Sequence, residues 1–374
     1  MRDVSKIKSV VIKIGSSSLC DASNKINKEK ILKLINQIAI LKRRGLKVTL
    51  VSSGAIMAGM DKLGLETKPT NIPQKQALAA IGQASLMQIY EDLFELFDLK
   101  CAQVLLNHDD FGERMRLLNL TNALNSMFEY DVIPIINEND TLAVDEIKVG
   151  DNDTLAALMV PMVDGDLLVL VSDINGLYDD NPHTNPEATL IHNVVCIDDS
   201  IRSMAKDPTT KVGTGGMVTK IKAAKIVNDY GCAMAIVNGQ QPDVIVDLLD
   251  GEIVGTWFDG KAGRTLTSRQ HWLFHRSSPK GKIVVDKGAA KALLEKHTSL
   301  LPKGIIDVTG DFLMSAVVEI VDQQGKVLAR GQTNYSSDEI RLIKGLKTDQ
   351  IEAVLHYKDY DTIIHANNLV LNKE

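Results

Sequence analysis

The sequence predicts an α/β fold with a mostly parallel sheet, followed by a small, mainly β domain. Short β-branched runs recur through the first two-thirds of the 374-residue chain, and each is followed after a turn by a stretch of helical period. This alternation is typical of βαβ units, which build parallel sheets. After about residue 280, several short apolar runs separated by glycine turns predict the β domain.

The first strand is predicted at "SVVIKIG" and the first long helix at "ILKLINQIAILKRRG". In that helix Ile31, Leu34, Ile35, Ile38 and Leu41 share one face, and the following glycine is expected to end it. Further strands are predicted at "LKVTLVSSG", "AQVLLNHDD", "VIPIINEND", "DLLVLVSD" and "AMAIVNG", and further helices at "NDTLAALMV" and "TKIKAAKIV".

Polar side chains cluster where several of these predicted strands end. In open α/β sheets, ligands bind outside the carboxyl ends of the strands, so the clusters predict one shared crevice. They are residues 15–18, 52–54, 107–110, 137–140 and 172–173.

The regular alternation of predicted strands and helices ends in "GTWFDGKAGRTLTSRQHWLFHRSSPKG", where glycine, serine, arginine and aromatic residues are mixed. Such a change in composition indicates a domain boundary. We expect one domain at 1–258 that carries the chemistry-bearing motifs, a linker at 259–277, the mainly β domain at 278–355 and a C-terminal tail at 356–374.

The composition limits the classes of function. The net charge of −6 argues against sequence-independent binding to nucleic acid or to an anionic membrane, because both need a basic surface. The four cysteines form no CxxC pair, which excludes the usual zinc and disulfide patterns. No run approaches the roughly 18 apolar residues of a membrane helix, so we expect a cytoplasmic protein with no membrane partner.

The stretch "GTGGMVTKIKAAK" has the features of an anion-binding site. A glycine-rich turn that opens a helix offers backbone N–H groups and a positive helix end, and Lys220 adds a cation one turn later. The stretch is not a Walker loop, because Thr219 precedes Lys220 instead of following it. Lys222 and Lys225 are expected to be ordinary surface lysines.

Lys13 is a second candidate because it interrupts an apolar strand. A charge there is costly unless it meets an anion at the strand end, although lysines on edge strands also reach solvent. The following "GSSS" favours the anion, since Gly15 lets the backbone approach a ligand and successive N–H groups and hydroxyls hold phosphate oxygens.

Acids and amides are concentrated in "NENDT" and "VGDNDTLAAL". They suit Mg²⁺, an ammonium group, or the capping of a helix by Asn152 or Asp153. Capping accounts for one acid and not for the whole cluster. In "VSDINGLYDDNP", Ser172, Asp173 and Tyr178 follow a strong strand and suit a nucleotide base or ribose, although Asn-Gly and Asn-Pro are also ordinary turn formers.

The motifs "VVIKIGSS", "LVSSGAI", "INENDT", "GDNDTLAA", "LVSDINGLYDDNP" and "GTGGMVTKIKAA" occur in this order and resemble those of the amino-acid kinase family, most closely its members that act on glutamate. Residues 278–355 resemble a PUA domain, a pairing typical of those bacterial members. The resemblance implies a three-layer α/β/α fold. It also implies ATP-dependent phosphorylation of the γ-carboxylate of L-glutamate to L-glutamyl 5-phosphate, the first step of proline biosynthesis, with ATP and Mg²⁺ as cofactors.

The resemblance also implies roles for individual residues. Lys13 and Lys220 would flank the transferred phosphoryl group, and Asp153 would orient them, which makes these three the expected catalytic residues. The expected glutamate-binding set is Ser53, Gly54, Asp140 and Asn152. The expected ATP-binding set is Lys13, Gly15, Ser172, Asp173, Thr214, Gly215, Gly216, Met217, Val218, Thr219 and Lys220. Gly15 and Gly54 would supply backbone donors, and the metal ligands are not assigned.

The partners implied by the resemblance are the small molecules glutamate and ATP, proline as a feedback inhibitor, further copies of the chain in a homo-oligomer, and a glutamyl phosphate reductase that receives the product. RNA binding by the PUA-like domain stays open. Three alternatives remain: a sister kinase for aspartate, acetylglutamate, carbamate or a nucleoside monophosphate; an RNA-binding or RNA-modifying protein; and a catalytically silent amino-acid sensor. The acidic balance weighs against the second.

Overall fold

The computed structural model describes residues 4–21, 23, 25–111, 114–142, 152–182, 184–204, 216–260, 279–296 and 298–372. The chain divides into two compact units, Met1–Thr265 and Leu266–Glu374. Most of the linker predicted at 259–277 lies outside the described residues.

An eight-stranded sheet forms the centre of the first unit. Its strands are β1 (Ser9–Ile14), β2 (Lys47–Ser52), β3 (Lys100–Leu106), β4 (Val132–Glu138), β5 (Leu167–Ser172), β6 (Asn193–Val194), β7 (Ala233–Asn238) and β8 (Thr256–Phe258). Their order across the sheet is β3-β4-β2-β1-β5-β7-β8-β6, and neighbours run parallel except for the antiparallel pair β7 and β8. The predicted mostly parallel sheet is confirmed, and β6 and β8 are strands that the sequence pattern missed.

The described helices of this unit are α1 (Ser16–Leu19), α2 (Lys28–Arg43), α3 (Ala55–Leu63), α4 (Ile72–Glu95), α5 (Arg114–Glu129), α6 (Asn152–Met159), α7 (Asp199–Met204), α8 (Met217–Asp229) and α9 (Val244–Leu249), with 3₁₀ turns at His108–Phe111 and Val160–Met162. The Asn27 side chain caps α2 by accepting a hydrogen bond from the N–H of Lys30. Gly45, just past its end, adopts a left-handed φ of 83°. The five apolar residues predicted to share one face of α2 are all buried.

Helices cover both faces of the sheet. Because side chains alternate along a strand, Val10, Ile12 and Ile14 of β1 point to one face, where they join a core with the apolar faces of α2, α4 and α9. Val11 and Lys13 point to the opposite face, where α6 and α8 lie. The unit therefore has the expected α/β/α layers.

Helices α3 and α4 pack against each other at two glycines. A Cβ atom built on Gly82 would lie 1.8 Å from the carbonyl oxygen of Ala55, and one built on Gly59 would lie 2.0 Å from that of Leu78. Both obstacles are backbone atoms, which cannot move aside as a flexible side chain can. The two helices thus approach as closely as their backbones permit.

The second unit has a sheet and a core of its own. Its strands are β9 (Lys282–Val285), β10 (Ile305–Thr309), β11 (Val317–Val321), β12 (Val327–Gln332) and β13 (Leu369–Leu371), in the order β10-β9-β11-β12-β13. All neighbours are antiparallel except β9 and β11. Its described helices are α10 (Lys287–Lys296), α11 (Ser337–Ile343) and α12 (Ile351–Leu355), with 3₁₀ turns at Pro302–Gly304, Thr348–Gln350 and Ala366–Asn368. The predicted small, mainly β domain is confirmed.

Strand β13 lies in the segment 356–374 that the sequence pattern presented as a tail. Residues Leu369–Leu371 pair with β12, and Leu369 and Val370 are buried. A three-residue apolar run gives too little pattern to be distinguished from a tail, so only the pairing partner reveals it. None of the helices in the described ranges combines the length and the apolar character needed to cross a bilayer.

Candidate active site

The carboxyl ends of the central strands meet at one edge of the first sheet. Ile14 of β1 lies opposite Ser52 on β2 and opposite Val171 on β5. Just beyond, the N–H of Ser53 donates to the carbonyl of Ile14 and the N–H of Gly15 to that of Val171, both at 3.2 Å. The polar clusters that follow these strands therefore share one edge, as expected for a parallel sheet.

Lys13, Asp153 and Lys220 form a buried charged cluster beneath this edge. Lys13 Nζ lies 2.6 Å from Asp153 Oδ1, and Lys220 Nζ lies 3.1 Å from Asp153 Oδ2. The three side chains are 9%, 1% and 6% exposed, respectively. The strand alternation turns Lys13 toward α6, and Asp153 and Lys220 face it from the first turns of α6 and α8.

Two lysines share the one carboxylate of this cluster. Burial of Asp153 opposes its ionisation, but Lys13 and Lys220, helped by hydrogen bonds from Lys13 and Thr219, outweigh burial and lower the pKa of Asp153 to about 2. The Asp153 carboxylate is therefore ionised at neutral pH. Two buried lysines beside one carboxylate suit the binding of a further anion.

Thr219 connects the cluster to the start of α8. Its Oγ1 lies 2.8 Å from Asp153 Oδ2 and 2.8 Å from the carbonyl oxygen of Gly216, the residue before the helix. A Cβ atom at Gly216 would meet no atom of the described residues within 4 Å. Met217 is half-buried and Val218 is exposed. The predicted residues Thr214 and Gly215 lie outside the described residues.

The two predicted glycine donors differ in their surroundings. The N–H of Gly15 is already engaged by Val171 within the sheet, whereas we expected it to serve a ligand. A Cβ atom at Gly15 would lie 3.9 Å from Lys13 Nζ, so its backbone borders the lysine. Gly54 opens α3 with a left-handed φ of 99°, a conformation that glycine adopts without steric cost.

A chain of amide contacts joins the predicted glutamate-binding residues. Asn152 Nδ2 lies 2.8 Å from Ser53 Oγ, 3.1 Å from the carbonyl oxygen of Ser52 and 3.1 Å from Asn137 Oδ1. Asn137 Nδ2 in turn donates to Gln83 Oε1 at 2.9 Å. The structure therefore brings Ser53 and Asn152 together. It adds Asn137, which belongs to the predicted polar cluster 137–140 but had no assigned role, and Gln83, which was not predicted.

Asp140 lies three residues beyond Asn137, in the turn after β4, and is half-buried. Desolvation and the charge of Lys75 lower the pKa of Lys68, whereas the Asp140 carboxylate acts in the opposite direction. Asp140 is thus close enough to Lys68 for the two charges to interact. No described contact joins Asp140 to the Asn152 chain, so its assignment to the same site stays a prediction.

Ser172 and Asp173 end β5 on the other side of β1. Ser172 Oγ donates to Asp173 Oδ1 at 3.2 Å, and the carbonyl of Ser172 accepts from the N–H of Gly239. Ser172 is buried and Asp173 is exposed. The loop that follows is anchored by Thr256, whose Oγ1 accepts from the N–H of Leu177 at 2.8 Å.

Asn175 extends this polar edge. Its Oδ1 accepts from Asn238 Nδ2 at 2.8 Å, and its Nδ2 donates to the hydroxyl of Tyr178 at 3.3 Å. Within the described ranges, no three or more His, Cys, Asp or Glu residues are grouped as metal ligands would be.

Comparisons with known proteins identify the family of the chain. The amino acid kinase family profile matches residues 8–238, and the PUA domain profile matches residues 281–355. Glutamate 5-kinase of Thermoanaerobacter sp. (strain X514) is 47% identical over 97% of this chain and 97% of its own length. Glutamate 5-kinase of Geobacter sulfurreducens (strain ATCC 51573 / DSM 12127 / PCA) is 46% identical over 98% of each.

Among solved structures, carbamate kinase from Giardia lamblia bound to AMP-PNP is similar in fold. It is 16% identical, covers 69% of this chain and 100% of its own, and has a TM-score of 0.50. At that identity the likeness concerns the fold alone. The family resemblance of the motifs is confirmed by the two profiles and the full-length relatives: the chain belongs to the amino acid kinase family and carries a C-terminal PUA domain.

Proposed function

We propose that this chain transfers the γ-phosphoryl group of ATP to the γ-carboxylate of L-glutamate, giving L-glutamyl 5-phosphate, the first step of proline biosynthesis. The observation that carries the proposal is the pair of buried lysines that share one carboxylate, in a chain whose full-length relatives are named glutamate 5-kinase. Phosphoryl transfer between two anions needs such a concentration of positive charge.

The chemistry needs no general base. A γ-carboxylate has a pKa of about 4.3 and is ionised at neutral pH, so one of its oxygens can attack the γ-phosphorus directly. The bond from that phosphorus to the bridging oxygen breaks, and ADP leaves. What the protein must supply is in-line alignment and neutralisation of the repulsion between the two anions.

In this proposal Lys13 and Lys220 neutralise the phosphoryl oxygens during transfer, and Asp153 keeps the two ammonium groups at a fixed separation. Because each lysine contacts a different carboxylate oxygen, one side chain orients both. Thr219 restrains the same carboxylate from α8. Asp153 is therefore a positioning residue.

The acceptor side of the proposed site is the Asn152 chain. Asn152 Nδ2 is directed at Ser53 and Asn137, so its amide oxygen faces the other way, where it can accept a hydrogen bond from the ammonium group of an amino acid. Asp140 would add a carboxylate for the same ammonium group, and Gly54 would add its backbone N–H.

The nucleotide side would comprise the start of α8 from Gly216 to Lys220, together with Ser172 and Asp173. The positive end of a 13-residue helix suits a phosphate chain, and none of the described residues would contact a Cβ atom at Gly216. We propose Mg²⁺ as the ion that accompanies ATP, held mainly by phosphate oxygens. Asp153 is not a ligand of the ion in this proposal, because both of its oxygens face lysine ammonium groups.

The proposal extends to the surroundings of the enzyme. We propose a cytoplasmic homo-oligomer that is inhibited by proline and that passes its product to a glutamyl phosphate reductase. The reactivity of an acyl phosphate supports the last point, since glutamyl phosphate cyclises readily. We propose no RNA ligand for the PUA domain. Retention of the chain on immobilised RNA at physiological salt would indicate such a ligand.

The test is to incubate the purified chain with ATP, Mg²⁺ and one amino acid at a time, and to trap any acyl phosphate with hydroxylamine. We expect the hydroxamate with glutamate only. Aspartate and N-acetylglutamate serve as matched carboxylate acceptors, and omission of ATP gives the background. Signal with either of those acceptors and none with glutamate would overturn the proposal.

A further inference from the structure

Helix α4 reaches the acceptor side of the site through one buried glutamine. Gln83 is 9% exposed and lies in the middle of a 24-residue helix whose other buried side chains are mostly apolar. Its Oε1 accepts a hydrogen bond from Asn137 Nδ2 at 2.9 Å. A buried polar side chain is costly unless its partners are well placed, so this contact accounts for a glutamine at an otherwise apolar position.

The contact with Gln83, together with the N–H of Glu138, fixes which way the Asn137 amide points. An asparagine amide donates only through nitrogen and accepts only through oxygen. With its nitrogen directed at Gln83, Asn137 Oδ1 accepts from the N–H of Glu138 at 2.9 Å and from Asn152 Nδ2 at 3.1 Å. A reversed Asn137 would place its NH₂ group against the NH₂ group of Asn152.

The orientation of the Asn137 amide affects Asn152 and Ser53, the residues proposed to hold the amino acid. Asn152 Nδ2 is directed at Asn137 Oδ1 and Ser53 Oγ together. If Asn137 turned over, Asn152 would lose one acceptor and face a donor, and its own amide would reorient. The amide oxygen of Asn152 would then no longer face the acceptor.

The position of Gln83 is itself tightly constrained. The neighbouring Gly82 lies against the backbone of α3, which prevents α4 from shifting toward α3. About two turns further along the same face of α4, the hydroxyl of buried Tyr90 hydrogen-bonds to Ser52 Oγ at 2.8 Å, and Ser52 Oγ donates to the carbonyl of Ser53 at 3.1 Å. Helix α4 thus holds the segment at Ser53 from two points.

We propose that Gln83 is a positioning residue for the amino-acid acceptor: it fixes the Asn137 amide, which in turn orients Asn152 and Ser53. The proposal rests on the acceptor side described under the proposed function. Gln83 acts on acceptor binding and not on the lysines that serve the phosphoryl group.

The first experiment measures the kinetics of Gln83→Met, which keeps the length of the side chain and removes the accepting oxygen. We expect the KM for glutamate to rise ~10-fold, as for the loss of one buried hydrogen bond, while kcat stays within about 3-fold and the KM for ATP within about 2-fold. Two further variants guard against misfolding. Gln83→Asn shortens the side chain by about 1.5 Å and should also raise the KM for glutamate. Gln83→Glu keeps an accepting oxygen at the same distance from the backbone, so its KM for glutamate should stay within about 3-fold of the wild-type value.

The control is Gln37→Met in α2. Gln37 is also a buried glutamine, 5% exposed, and its Oε1 accepts from the N–H of Ile245 at 2.9 Å, away from the Asn137 chain. Loss of this hydrogen bond in Gln37→Met should lower the melting temperature and leave the KM values for glutamate and for ATP unchanged. A glutamate KM that is unchanged in Gln83→Met, or that is raised equally in Gln83→Asn and Gln83→Glu, would refute the positioning role.

A double variant tests the route. In an Asn137→Ala background, Gln83→Met should cause no further rise in the KM for glutamate, because residues that act through one another are not additive. A full additional rise would show that Gln83 acts by another path and would overturn the proposal.

If the wild-type chain phosphorylated another amino acid, the proposed function would fail, and the same comparison of variants made with that acceptor would still decide the role of Gln83.

Discussion

Replacing Lys220 by methionine removes one of the two ammonium groups that contact Asp153 and keeps much of the aliphatic chain. In the native cluster, Lys13 and Lys220 contact the two oxygens of one carboxylate. In Lys220→Met, the contact between Lys13 and Asp153 is kept and the one made by Lys220 is lost. The variant therefore removes one of the positive charges that the proposed transition state needs.

The size of the effect follows from Coulomb's law. Two unit charges about 5 Å apart interact with about 3 kcal/mol at an effective dielectric constant of about 20. Since about 1.4 kcal/mol corresponds to a tenfold change in rate, we expect kcat to fall by about 100- to 1000-fold. The KM for ATP should change much less, because the start of α8 still offers its N–H groups to the phosphates.

The assay is hydroxamate formation at saturating and varied ATP and glutamate, with thermal unfolding as a check on folding. Lys222→Met is the matched control: Lys222 lies two residues further along the same helix and is exposed, so its kinetics should stay close to those of the wild type. A folded Lys220→Met enzyme with a kcat within a few-fold of the wild type would refute the assignment of Lys220 to the phosphoryl group.

Three further predictions concern other parts of the first unit. Asp140→Asn should raise the KM for glutamate about 10- to 100-fold and leave that for ATP unchanged, since a charge-assisted hydrogen bond is worth roughly 1.5–3 kcal/mol; an intact glutamate KM with an intact kcat would remove Asp140 from the site. The pKa of Asp153 is lowered from 3.8 to about 2, so its ionisation stabilises the fold above about pH 4 and this contribution is lost as the pH falls toward 2. Urea titrations from pH 5 to 2 should therefore show a loss of about 2 kcal/mol that is missing in Asp153→Asn, and parallel curves for the two proteins would contradict it. Gly82→Ala should destabilise the unit by about 1–3 kcal/mol or more, because the new methyl group would lie 1.8 Å from the backbone oxygen of Ala55; a melting temperature equal to that of the wild type would contradict the close packing of α3 and α4.

Much of the fold could be predicted from local pattern alone. Buried parallel strands such as β5 are near-continuous apolar runs, and α2 shows its apolar face directly in the spacing of Ile31, Leu34, Ile35, Ile38 and Leu41. The strands β6 and β8 could not be found in this way, because two or three residues carry no measurable period. Their place depends on the partner strand and not on their own composition.

The residues of the candidate site also differ in whether the sequence reveals them. Lys13 is conspicuous in the sequence because a charge interrupts an apolar strand, and Lys220 because it follows glycines at the start of a helix. Gln83 has no such signal: on a helix whose two faces are not sharply separated, a polar residue gives no indication of whether it is buried.

The pairing of these residues was decided by the tertiary structure. Asn137 lies 54 residues from Gln83 along the chain, and Asp153 lies 67 residues from Lys220. They meet because the sheet order places β4 and β2 on one side of β1 and β5 on the other, with α6 and α8 across one face. The sequence by itself determined which residues bear charge and which segments form strands and helices, since these depend on neighbours within a few positions. The order of the strands, and with it the contacts of the site, depends on how distant apolar surfaces pack together, and no local pattern encodes it.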